Sequence, residues 1–315
     1  MAPHPEPLLP EPGERGVASY DIAELAQRLD HAWAQFLAVV DVADLTAESR
    51  VRGRTGADIC RPLASWPGHP GITHLAEQAR TGPSDRRHRG PHDPDPSPPH
   101  RDADPDEIRA GLDRARQALA DFLAGPDAER YALSPVGSRL GPLPLLSVLH
   151  AQAFDLAVAA ADLLSCGGAP AGEALIRSGL AAVADTTGAL ASRLSISSAV
   201  ALLTPAGGWA MASVGPDWTV AEIDAVTEGE EGSMPWPTVA GDGPDLIDAA
   251  AGRTPVPVLM MRHELRLHDL PGLLELAPIV GAVPGLPAGP LLSTLATYLG
   301  EAGRLLRLGR NAWPG

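Results

Sequence analysis

The sequence predicts an N-terminal helical bundle followed by a smaller α+β domain. Two observations carry this reading. Up to residue 194 the apolar residues recur at helical spacing in long segments. Beyond it they fall in short β-branched or aromatic runs, separated by Pro-Ala-Gly-Gly and Gly-Pro-Asp turns, the pattern of an antiparallel meander. A chain of 315 residues suits two such units.

Residues 1–18 are rich in Pro and Glu and are expected to form a loose tail. The bundle is expected over 19–194. Its first helix begins near Tyr20, and Ile22, Leu25, Leu29, Trp33, Phe36 and Val40 form one apolar stripe. His31 lies beside that stripe and reads as a partly buried structural histidine. The second helix begins at Thr55, where Asp58 three residues on completes a capping box. Pro62 removes a backbone donor, so the helix kinks or restarts there before continuing past Leu75 to about Arg80. Residues 82–105 are a disordered loop rich in Pro, Asp and Arg. Its His88, His92 and His100 lack ligand spacing and read as solvated. Pro105 opens a third helix along Ile108, Leu112, Ala115, Leu119 and Phe122, ended by Gly125-Pro126. Apolar helices follow at 142–164 and 172–194, completing the bundle.

The second unit is expected over 195–315. Strands are predicted at 197–204, 208–214, 218–223 and 264–268, and helices at 245–253, 270–280 and 290–308. Gly207-Gly208 reads as a hairpin turn, not a phosphate cradle. Residues 227–243, acidic and rich in Gly and Pro, read as a surface loop, with a lid over a pocket as the lesser reading. Trp209, Trp218 and Trp236 read as core, though they can also line an apolar cavity.

A net charge of −15 disfavours binding to nucleic acid phosphates. Cys60 and Cys166 are the two cysteines and read as reduced thiols. No unbroken apolar run reaches the length of a membrane span, and the N-terminus lacks a secretory pattern. The expected location is therefore the cytoplasm, with no nucleic acid and no membrane as partner.

Two segments carry a family resemblance. The first is Thr55-Gly-Ala-Asp-Ile-Cys-Arg-Pro-Leu-Ala-Ser-Trp66, and the second is Leu149-His-Ala-Gln-Ala-Phe-Asp-Leu-Ala-Val-Ala-Ala-Ala-Asp-Leu163. Together they resemble the DinB-like, mycothiol-dependent maleylpyruvate isomerase family of actinobacteria. The run from Asp245 to Arg253, the following Glu-Leu-Arg-Leu-His strand and an apolar helix look like a sterol-carrier (SCP2-like) module, which often follows that bundle. The resemblance implies zinc and mycothiol as the default cofactors. It also implies three ligand positions: a histidine at Pro62, an acid at Asp155 and a histidine at Ala159. Here only Asp155 retains a donor, so the metal site looks dismantled and no cofactor is expected. A catalytic zinc needs three protein ligands and an open position, and one carboxylate does not make a tight site. His150, Cys60, His69 and His74 are the groups from which a relocated site would have to be built.

Asp155 on an apolar helix needs an explanation, because buried carboxylates are rare unless paired. It pairs with Arg61 or Arg139, acts as a general acid or base together with His150, or is simply exposed. The expected function is a metal-free member of the isomerase-like family that binds an apolar or carboxylated small molecule between the two domains. One alternative is an isomerase or cyclase working by acid–base residues without metal. The other is a mycothiol-dependent isomerase or thiol transferase with a relocated metal site.

Overall fold

The computed structural model describes residues 8–68, 71–82, 100–226, 231 and 234–282. Among them the chain is a mixed α and β fold, with the helices first and most of the sheet after. Helix α1 (Ile22–Val42) is capped by Asp21, whose side chain accepts from the Ala23 amide, and buries Leu25, Leu29, Trp33, Phe36 and Val40. Helix α2 (Gly56–Cys60) starts on the capping box of Thr55 and Asp58. It gives way to a 3₁₀ turn at Arg61–Leu63, where Pro62 has no amide to donate. The chain becomes helical again at α3 (Ile72–Thr81), so the proline breaks the element into two helices. Helix α4 (Pro105–Leu123) opens on a second capping box, Asp104 with Glu107, and α5 (Pro126–Arg130) follows.

A short hairpin of β1 (Pro135–Ser138) and β2 (Gly141–Pro144) then precedes α6 (Leu145–Asp162). Helix α6 is, among the described residues, the one helix long and apolar enough to cross a membrane, and most of it is buried inside the fold. It packs against α7 (Glu173–Arg193), of which 16 of 21 residues are buried. Such burial all round means that α7 is covered on both sides. Its neighbours also include β3 (Ser198–Thr204), β4 (Gly207–Val214) and β5 (Asp217–Ile223). With β6 (Thr238–Gly241) and β7 (Leu265–His268) these form a five-stranded sheet of order β5-β4-β3-β6-β7. Only the β3–β6 pair is parallel. Helix α8 (Gly243–Ala251) connects β6 to the chain before β7 and packs on α6 and α7. Helices α9 (Val256–Met261), α10 (Leu270–Leu273) and α11 (Ala277–Ala282) complete the described chain. One hydrophobic cluster runs from Val17 to Ile279, so bundle and sheet share a core across residue 194.

Several expectations are corrected. The loose tail fails at its C-terminal end. Gly16, Val17 and Ala18 are buried in a 3₁₀ turn, and the Val17 amide donates to Asp185. Glu14 accepts from the Trp218 amide, and Arg15 pairs with Asp217. This segment is ordered because it supplies polar partners that the α7–β5 seam requires. The region 227–243 is not only a loop: β6 lies within it, with Thr238 to Gly241 all buried in the sheet. Trp236 and Met234 cover the outer face over Ala201 and Ala210. His31 is exposed, and its Nε2 lies 2.9 Å from the Gln35 amide nitrogen. Trp218 is core, held by its indole N–H to Asp185 at 3.0 Å. The hairpin at Gly207 is present, with Thr204 opposite Gly207. His88, His92, His69 and the helix expected at 290–308 lie outside the described residues. His100 stacks on Trp66 with ring centroids 4.6 Å apart.

Gly16 sits at φ +52°, and a Cβ there would overlap both the Trp218 indole and the Asp185 carboxylate. Gly16→Ala should therefore lower stability in urea unfolding by about 2 kcal/mol or more, through backbone strain and a displaced buried hydrogen bond. An unchanged unfolding midpoint would mean that residues 14–18 are not anchored there.

Candidate functional site

Helix α6 presents its acidic residues to different surroundings. A cavity of about 680 Å³ opens along one side of it, between α2, the β1–β2 hairpin, α7 and the chain after α8. Pro62, Asp155 and Ala159 all line this cavity. The three positions that the sequence resemblance singled out therefore converge in space, although Pro62 lies on a different element from the two on α6. Ile59, Leu63, Leu140, Leu143, Phe154 and Val183 give the cavity its apolar wall.

Asp155 is solvent-exposed by surface area, yet burial raises its pKa to about 6, with Arg139 opposing the rise. The two facts fit only a deep concavity. Water reaches the carboxylate, but protein fills most of the volume from which solvent would otherwise stabilise its charge. Among the described residues Asp155 forms no hydrogen bond or ion pair, and Arg139 acts on it through its charge alone. A carboxyl group that titrates near neutrality and is open to a cavity can accept or donate a proton there.

The other charges around the cavity are mostly committed. Asp58 takes the Thr55 amide and the Arg61 guanidinium, the latter at 2.8 Å, and its carboxyl is held below the usual range, chiefly by the Thr55 amide. Arg61 thus serves Asp58 and is no partner of Asp155. Asp162 is 1% exposed and receives Arg253 through Nε and Nη2, the latter at 2.6 Å, and Arg50 at 3.3 Å. Arg50 also makes a two-pronged contact with Asp248, both bonds 2.7 Å long. This network joins the loop before α2, the end of α6, and α8. Arg54 and Arg139 line the cavity, are exposed, and have side chains in no ion pair or hydrogen bond among the described residues.

His150 is not part of this site. Five residues before Asp155, it points about 140° away around the helix. It is 1% exposed, and its Nδ1 lies 3.5 Å from Oδ2 of Asp185, itself fully buried. The expectation that His150 and Asp155 share one catalytic site is therefore corrected: they serve opposite faces of α6. Cys60 is fully buried beneath α2, where burial pushes its thiol up to about 12. Cys166 is also buried, and its thiol is shifted upward. His74 lies on α3 with Nε2 2.7 Å from the Gln78 amide nitrogen.

The zinc implied by the resemblance finds no matching donors. Proline and alanine supply none, Asp58 and Asp162 are bound by arginines, and no three His, Cys, Asp or Glu side chains cluster as metal ligands among the described residues. Sequence reasoning missed the hairpin that brings Arg139 to the cavity. Its signal was present in Val136 and Leu143 facing the core on either side of Ser138-Arg-Leu-Gly141, but three prolines between 135 and 144 hid the strand pattern.

No protein-family model matches the chain, and no curated protein matches it. Two solved structures do. The chain is similar in fold to mycothiol-dependent maleylpyruvate isomerase. That structure shares 16% identity, covers 76% of this chain and 92% of its own, and superposes with a TM-score of 0.44. A histidine-to-alanine variant of the same protein gives the same identity and coverage with a TM-score of 0.43.

The raised pKa has a consequence for stability. Between the ordinary carboxyl value near 3.8 and the folded value near 6, the folded state holds the proton that the unfolded state has lost, so stability falls as pH rises through that window. Asp155→Asn should remove this penalty. The variant should match the wild type below pH 4 and exceed it above pH 6, by about 1 kcal/mol once the solvent reaching the group is allowed for. Parallel urea titrations across that range check it, and a variant less stable than wild type at pH 7 would show Asp155 to be a structural pair.

Proposed function

We propose that this protein binds a small apolar carboxylic acid in the Asp155 cavity, without a metal, and that Asp155 exchanges a proton with it. The observation that supports the reading best is the pairing of opposites in one cavity. An unpaired carboxyl titrating near neutrality lies within an apolar wall, and two uncommitted guanidinium groups, Arg54 and Arg139, share the lining. Arginine suits carboxylate recognition because its donors form a fixed fork. The apolar wall suits the hydrocarbon body, and about 680 Å³ is in the range of small-molecule sites.

A ligand whose carboxylate sits on an arginine would place its carbon skeleton against Phe154, Val183 and Leu143, beside Asp155. The reaction class that this supports is proton transfer on carbon or oxygen, as in an isomerisation or cyclisation. It requires neither thiol nor metal, in keeping with Pro62 and Ala159 at the cavity wall. The binding site lies between the bundle helices and the chain that follows α8, so both halves of the chain contribute to it.

Titration calorimetry with benzoate as the probe tests the reading. Wild-type protein should bind it. Ala159→Leu, which adds bulk to the cavity wall without touching a charge, should weaken binding by about tenfold or more while leaving the unfolding midpoint near wild type. Equal affinity in the two proteins would place the carboxylate outside this cavity.

A further inference from the structure

The β1–β2 hairpin is anchored beside its turn, and its tip residue Arg139 is exposed. The Gly137 amide donates to Oε1 of Gln78 on α3 at 2.8 Å, and Arg193 of α7 donates to the Pro142 carbonyl at 2.9 Å. The turn is closed by Ser138, whose hydroxyl donates to the Gly141 carbonyl at 2.6 Å and accepts from the Leu140 amide at 3.1 Å. Arg139 therefore stands at a fixed tip on the cavity rim, exposed and without an ion-pair partner among the described residues. The charged groups around Asp155 can be taken element by element. Asp58 on α2 is held by Arg61 and Thr55, and Asp162 at the end of α6 is held by Arg253 and Arg50. Arg54, before α2, is uncommitted. Helix α7 contributes Ala182, Val183 and Thr186 to the cavity, none of them titratable. Arg139 is the cation whose charge acts on the Asp155 carboxyl.

We propose that Arg139 is a positioning residue at the hairpin tip that steadies the Asp155 carboxylate in the empty cavity and is captured by the carboxylate of an incoming ligand, so that binding passes a proton from solvent to Asp155. This deepens the carboxylic-acid reading above and rests on it for the capture step. Arg139 has one positive charge and two candidate anions. When the ligand's carboxylate takes the guanidinium, the favourable charge at Asp155 is neutralised and the neutral acid becomes the preferred form. No bond is made or broken in the protein. One proton moves from water to the Asp155 carboxyl, and the acid form is then ready to protonate the ligand held beside it. Uptake should be greatest just above pH 6 and vanish well below it, where Asp155 already carries the proton.

Carbon-13 NMR titration of the aspartate carboxyls, with Asp155 assigned by its loss in Asp155→Asn, tests this on the intact chain. In the absence of ligand, Arg139→Gln should raise the Asp155 pKa by about half a unit or more, the size of one screened charge at several ångströms. Arg139→Lys should restore it, and Arg54→Gln should leave it unchanged. Saturating benzoate should raise the pKa of the wild type and not that of Arg139→Gln. An unchanged Asp155 pKa in folded Arg139→Gln would overturn the pairing, whatever benzoate does. A shift in Arg139→Gln without benzoate binding to the wild type would overturn the capture step and the carboxylic-acid reading, while leaving the pairing standing. A benzoate-induced rise that persists in Arg139→Gln but not in Arg54→Gln would assign the capture to Arg54 and overturn the role of Arg139.

Discussion

Close approach of α6 and α7 sets the position of almost every group discussed above. The two helices meet through small residues. A Cβ at Gly179 would lie 2.9 Å from the Ala157 methyl and 3.1 Å from Ile247, so only glycine permits this spacing. Interiors packed at this density respond to a single added methyl group. Because α7 is buried on its other side by β4 and β5, the pair also fixes the sheet relative to the bundle. The cavity is what remains on the flank of this pair that neither the sheet nor α1 covers. Its shape is therefore a consequence of helix packing.

Acidic residues on these two helices show how surroundings decide a carboxylate's role. Asp162 is buried but held by two arginines, so it works as a joint between α6 and the chain around α8. Asp185 is buried and receives two N–H donors, from Val17 and Trp218, and so ties the N-terminal segment and β5 to α7. Asp155 alone of the three has no hydrogen-bond or ion-pair partner among the described residues, and it faces open space. A structural role needs a partner, and a role in chemistry needs access. Only the environment of Asp155 supplies access.

Much of the helical part was legible in the sequence because caps and breakers are local. Thr55 with Asp58, Pro62, Pro105 and Gly125-Pro126 each act within a few residues, and each does in the structure what its chemistry dictates. The strands over 198–223 were legible for the same reason, through their turns. Three features were not. Strand β6 is four residues long, and its partner β3 is more than thirty residues earlier. The order of residues 14–18 depends on Asp185 and Trp218, which are distant in sequence. His150 and Asp155 looked like one site because five residues separate them, and helical geometry places them on different faces. The convergence of Pro62, Asp155 and Ala159 came from the resemblance, since spacing along the chain gives no reason for Pro62 to meet α6.

We propose that the cavity beside Asp155 is where this protein holds its ligand. A crystal structure of the chain soaked with para-bromobenzoate, with the bromine located by anomalous scattering, tests it most directly. The account predicts the carboxylate on an arginine of the cavity rim and the bromine among Leu143, Phe154 and Val183. Bromine in the groove formed by Arg28, His31, Arg177 and Trp209 on the far side of α7, with the Asp155 cavity holding only water, would contradict it.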